Sequence, residues 1–178
     1  MTSNAQNSVP HSDASNLSRR SIIDWTVRIR LNAHELNGSY SVLIFLGDVP
    51  DDPHLWMSSP SYVGGHSAFV SSTVDQPAVI TQGFVHLSNW IAEKSRLGSF
   101  DPSVVEPYLK DKLSWRVQMA GGTAVSLSKV TSLEVTVLAT PLTLEPGVIF
   151  PVPGKTQYYP SITAGRIGGS HSTRASEE

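Results

Sequence analysis

The 178-residue chain has no cysteine. A disulfide framework, a thiolate nucleophile and Cys-ligated zinc are excluded together. Charge is also scarce: charged residues make up 16%, and Lys+Arg 13 against Asp+Glu 15 leaves a formal net charge of -2. Without a basic stripe, neither nucleic acid nor an anionic membrane is expected as a partner. No apolar run reaches the ~18 residues of a spanning helix. Residues 1–20 contain no apolar leader core, so a cytoplasmic location is expected. Catalytic signatures are missing too. There is no G-x-S-x-G elbow, and Gly64-Gly65, Gly121-Gly122 and Gly168-Gly169 lack the strand-to-helix setting of a phosphate loop. His11, His34, His54, His66, His86 and His171 show no i, i+3 or i+4 spacing, so neither a metal site nor a cofactor is expected.

What is present is a strand-rich pattern. Tyr40 to Gly47 (YSVLIFLG) is an unbroken apolar run bounded by Asn37-Gly38 and Gly47-Asp48, which predicts a strand buried on both faces. Burying five such side chains contributes roughly 1.5–3 kcal/mol each, enough to anchor one core. Before it, Trp25, Val27, Ile29 and Leu31 alternate with Thr26, Arg28 and Arg30, the period of a half-wet strand. The Asn37-Gly38 turn predicts that these two strands pair as a hairpin. Gly47 to Gly65 holds three prolines, three glycines and three aspartates and reads as one long loop, with Trp56 and Tyr62 packed onto the core edge.

Short strands are expected over His66–Val70, Val79–Leu87, Leu113–Met119 and Leu133–Thr140, the last ended by Pro141. Ser88-Asn89 predicts the start of a helix to Arg96, and Asp101-Pro102 the start of a second, with Val105, Leu109 and Leu113 at helical spacing. The Pro/Gly-rich segment after Pro141 reads as a packed wrap. The fold class is therefore all-β, an antiparallel β-sandwich with two short helical insertions. Residues 1–20 form a disordered arm, 21–169 the domain, and 170–178 a free tail.

Four stretches carry a family resemblance: DWTVRIRLNAHELNGSYSVLIFLGDVPDDPHLW, PSYVGGHSAFV, LGSFDPSVVEPYLKDKLSWRVQ and LEVTVLATPLTLEPGVIFPVPG. Together they resemble the C-terminal domain of fungal tyrosinases, over roughly Ile22 to Gly169. The resemblance implies a β-sandwich that lies over a dicopper site, keeps a precursor inactive and inserts an aromatic side chain at the substrate position. It places Phe69, in Val63–Val70, as that plug. It also implies a C-x-x-C pair for copper delivery, which this cysteine-free chain lacks; the loop Ser71–Pro77, where the pair would sit, looks shortened. Six histidines without helical spacing cannot supply two three-histidine copper sites, so no tyrosinase activity is expected from this chain.

Three readings follow. The first is a free-standing lid that docks on a tyrosinase-type enzyme or another protein, similar in arrangement to the separate caddie proteins of bacterial tyrosinases, with Phe69, His66, Tyr62 and Trp56 at the binding surface. Its counter-reading makes Phe69 an inward strand residue. The second is a lectin-like or immunomodulatory module stacking glycans on Trp56, Tyr62, Tyr158 and Tyr159. The third is a cofactor-free secondary-metabolite enzyme acting on a small molecule in a sandwich cavity, with His66, His86 and Arg116 as candidate acid–base or anion-stabilising groups.

Overall fold

The computed structural model describes residues 20–70, 77–145 and 147–171; the N-terminal arm and most of the Ser71–Pro77 connection lie outside them. The elements run β1 (Arg20–Asn32), β2 (Tyr40–Leu46), β3 (Tyr62–Ala68), β4 (Ile80–His86), α1 (Ser88–Ser95), α2 (Pro102–Lys112), β5 (Leu113–Met119), β6 (Ala124–Val125), β7 (Glu134–Leu144), β8 (Val152–Pro153) and β9 (Gln157–Tyr158). Among the described residues they form two antiparallel sheets. One has the order β4-β1-β7, with β8 and β9 along the far edge of β7; the other has the order β3-β2-β5-β6. The all-β class and the two helical insertions hold.

The core fills the gap between the sheets. Trp25, Val27, Ile29 and Leu31 of β1 meet Val42, Ile44 and Leu46 of β2, with Val135 and Val137 of β7 and Trp115 and Val117 of β5. The period-2 alternation places all of these inward. Across the plane of β2, Leu43 and Phe45 form a second cluster with Trp56, carried on a 3-10 turn at Pro53–Ser58. The run in β2 is therefore buried on both faces, one by the opposite sheet and one by its own loop. The helices lie between β4 and β5 and bury Ile91, Val105 and Leu109 in the main core.

Three sequence expectations need correction. First, β1 and β2 do not form a hairpin. Strand β1 already pairs with β4 and β7, and β2 pairs with β3 and β5. The Asn37-Gly38 turn instead carries the chain across the sandwich. Tyr40 Oη donates back to the Asn32 carbonyl at 2.6 Å, and burial, with the charge of Glu35 adding, pushes that hydroxyl up to about 12, so it stays a donor. Glu35 pins the crossover by accepting from the backbone and hydroxyl groups of Thr131 and Ser132.

Second, the loop after β2 ends at Ser61, not Gly65. The two glycines lie within β3 because a β-carbon on Gly64 would sit 2.9 Å from Val85 Cγ1 of the opposite sheet, and Gly64 has φ 143°. Third, β7 runs through Pro141 to Leu144. The Pro141 carbonyl accepts from Gly154 N at 2.7 Å, away from β1. A residue's N and O point to the same side of a strand, so the missing N–H leaves the β1 ladder intact. The wrap also reaches further than expected: Ser170 is buried, its N–H donating to Thr163 Oγ1.

Candidate functional site

The two sheets meet at one side where their edge strands β3 and β4 lie together. His66 pairs with the inward Val42, and Thr81 and Gly83 pair with the inward Leu31 and Ile29. All three therefore face the gap. The imidazole of His66 lies against the bare backbone of Gly83, where a β-carbon would come within 2.5 Å of the ring. Its Nε2 is 3.1 Å from Thr81 Oγ1. Burial pushes the His66 pKa below its ordinary value, favouring the neutral ring. His66 is thus a bolt between the sheets.

Phe69 follows β3 directly. Ala68 is buried and Val70 N donates to Ser39 Oγ at 3.0 Å, so the residues on either side of Phe69 are anchored. Its own side chain is 83% exposed. Alternation from the inward Ala68 turns Phe69 outward, which overturns the reading of Phe69 as an inward strand residue. Val79 and Ile80, both exposed, lie at the same end of the sandwich, because Ile80 pairs with Asn32 and Tyr40 pairs with Ala68. That end presents Phe69 beside an aliphatic shoulder.

The three acid–base candidates do not converge. His66 faces the inter-sheet gap. His86 lies on the outer face of the other sheet, its side chain 74% exposed, with Nδ1 3.1 Å from Asp24 Oδ2. Asp24 also accepts from Ser88 Oγ at 2.7 Å. This Ser–Asp–His grouping is not a nucleophilic triad, because the carboxylate sits between the hydroxyl and the imidazole and no base reaches the hydroxyl. Arg116, on β5, pairs with Leu43 of the outward set and donates from Nη1 to the Trp115 carbonyl at 2.8 Å.

The aromatic residues are already engaged. Trp56 is 5% exposed, packs edge-on against Phe45 at 6.4 Å and donates to the Pro50 carbonyl; it is not an exposed platform. Tyr62 packs on Phe45, Tyr158 lies under the Arg28 guanidinium and Tyr159 tilts against Trp25.

One residue that the sequence reading did not single out is Arg166. It stacks on the Trp115 ring at 4.2 Å, beside Arg116. Nothing in the Pro/Gly-rich context of the wrap signals this, since the contact depends on where the wrap crosses β5.

The tyrosinase C-terminal domain family matches residues 24–137. This chain belongs to that family. The matched span runs from the start of the Asp24 cluster into β7 and includes the Phe69 segment. The chain is 29% identical over 158 residues to a tyrosinase of Neurospora crassa, covering 82% of this chain and 23% of the relative. It is 33% identical over 138 residues to polyphenol oxidase 4 of Agaricus bisporus, covering 73% and 21%. The solved structure of recombinant mushroom tyrosinase overlays with a TM-score of 0.62 at 30% identity, covering 79% of this chain and 24% of that one. This tyrosinase C-terminal domain therefore spans about a quarter or less of the length of its relatives.

Proposed function

We propose that this chain is a lid that docks on a tyrosinase-type core and presents Phe69 to the substrate pocket of that core. The observation that carries the reading is the position of Phe69: an aromatic ring almost wholly in solvent, on backbone anchored immediately before and after it. A large apolar side chain left outside a sandwich with a filled core has its favourable burial still to come, and a partner is the place for it. Membership of the tyrosinase C-terminal domain family supports the choice of partner. Burying one Phe contributes only about 1.5–3 kcal/mol. Stable docking therefore needs a surrounding interface of about 1,600 Å² in total, to which Val79 and Ile80 are suited by their place on the same end.

The test mixes the chain with a tyrosinase core lacking its own C-terminal domain and follows diphenol oxidation. Inhibition is expected at micromolar excess, with a complex on size exclusion. Phe69→Ala should abolish inhibition while leaving the denaturation midpoint unchanged. No complex and no inhibition by the wild-type chain would reject the proposal.

A further inference from the structure

The edge of β5 carries an unusual charge arrangement. Strand β6 pairs only with Val117 and Gln118, so β5 is uncovered by β6 at Ser114, Trp115 and Arg116. The C-terminal wrap crosses there. Trp115 Nε1 donates to the Ile167 carbonyl at 3.0 Å, and Gly168 lies so close that a β-carbon would meet Leu133 Cδ2 at 2.8 Å. Around this fixed crossing Arg116 is tied to the Trp115 carbonyl and Arg166 lies on the Trp115 ring. Two guanidinium groups are thereby gathered on one tryptophan.

Neither arginine has a carboxylate partner among the described residues. Other cations nearby in sequence do: Lys110 with Glu106, Lys112 with Asp111, and Arg30 with Glu134. Each guanidinium offers five N–H donors; Arg116 uses Nη1 on the Trp115 carbonyl, and Arg166 makes its contact through its π face. Burial and then the field of Arg116 lower the Arg166 pKa, the signature of like charges held within reach of each other. The backbone on both sides of Arg166 is fixed, its N–H donating to Thr163 O and its carbonyl accepting from Gly169 N. The pair is preorganised, repulsive and rich in unused donors.

We infer that Arg116 and Arg166 form a receptor for a carboxylate, supplied by an Asp or Glu side chain of the protein on which this chain docks. One carboxylate offers an oxygen to each guanidinium and relieves their repulsion. That the bearer is a tyrosinase-type core rests on the function proposed above; the carboxylate receptor itself does not. A polyanion is a poorer match, because the chain carries a net charge of -2 and the pair is not extended by a basic stripe.

The test uses the full chain with nitrogen-labelled arginine and follows the Nε–Hε signals by NMR. The probe is a blocked Gly-Glu-Gly tripeptide, with its Gln counterpart and inorganic phosphate as controls. The signals of Arg116 and Arg166 should move together and saturate in roughly the millimolar range, while those of Arg30 and Arg96 stay put. Arg166→Gln should remove the response of Arg116. No saturable movement, an equal response to the Gln peptide, or tighter binding of phosphate than of the Glu peptide overturns the inference. A second arm separates the two proposals. If the wild-type chain binds a tyrosinase core, Arg116→Gln with Arg166→Gln should weaken the complex about tenfold or more and flatten its salt dependence; unchanged affinity overturns the inference and leaves the lid reading standing. If no complex forms, the lid reading fails and the peptide titration alone decides the receptor.

Discussion

Substituting Gly83→Ala tests whether the corner that carries the Phe69 segment is held by the bolt described above. An added methyl would lie 2.5 Å from both Cγ and Nδ1 of His66 and 2.7 Å from its Cβ. Because the contacts include the imidazole's root as well as its ring, rotating the ring cannot relieve them. The whole side chain must leave its rotamer, breaking the bond to Thr81. Overpacking of this kind costs about 1–3 kcal/mol, and the lost hydrogen bond about 1 kcal/mol more. The expected destabilisation is about 2–4 kcal/mol, or roughly 5–15 °C in Tm at 2–4 °C per kcal/mol for a chain of this size.

The cycle with His66→Ala isolates the cause. Gly83 is not in the left-handed region, so with the ring removed an alanine fits the backbone and restricts the unfolded chain. In the His66→Ala background Gly83→Ala should be neutral or stabilising by up to about 1 kcal/mol. Urea denaturation followed by tryptophan fluorescence measures all four corners. A cost that stays the same whether or not the imidazole is present would refute the reasoning.

Other outcomes follow from the same geometry. Glu35→Gln replaces a carboxylate that accepts from Thr131 and Ser132, and should cost about 1.5–3 kcal/mol in urea denaturation at pH 7. Burial works to raise the Glu35 pKa, but the hydrogen bonds from Ser132 and Thr131 outweigh it and the net shift is downward. Its contribution is therefore whole above 4.5 and is lost as pH falls through the lowered folded-state value; the glutamine variant should lack that part of the acid slope. His66, with its pKa lowered by burial from 6.5, has the same sign. The stability of the wild-type chain should decline as pH falls from about 6.5, because the unfolded chain takes up the proton first, and His66→Ala should flatten the profile there. Trp56→Ala empties the small cluster over Phe45 and should cost about 3–5 kcal/mol in chemical denaturation, although Trp56 lies outside the main core.

Much of the fold was legible because it rests on local rules. The alternation in β1 and β5, the two-sided apolar run of β2 and the Asp101-Pro102 start of α2 follow from side-chain periodicity and backbone preference, which act over a few residues. The sequence also carried the family resemblance, and with it Phe69. Less legible were features in which one segment answers to a distant one. Gly64 and Gly65 read as loop residues because glycine punctuates loops more often than it lets two sheets touch. Pro141 read as a terminator because the sequence does not say which side of β7 faces a full partner strand.

The chain order alone therefore determined the strand content, the absence of sulfur chemistry and the segment that bears the exposed aromatic ring. Tertiary structure decided that β1 and β2 belong to opposite sheets, that Phe69 turns outward, that His66, His86 and Arg116 look into separate spaces, and that Arg166 joins Arg116 on Trp115. The physical reason is range. Periodicity and turn chemistry are written within a few neighbouring residues, whereas which strands pair and which side chains meet is settled by closing the core, where residues such as Arg116 and Arg166 become neighbours only after every strand has found its sheet.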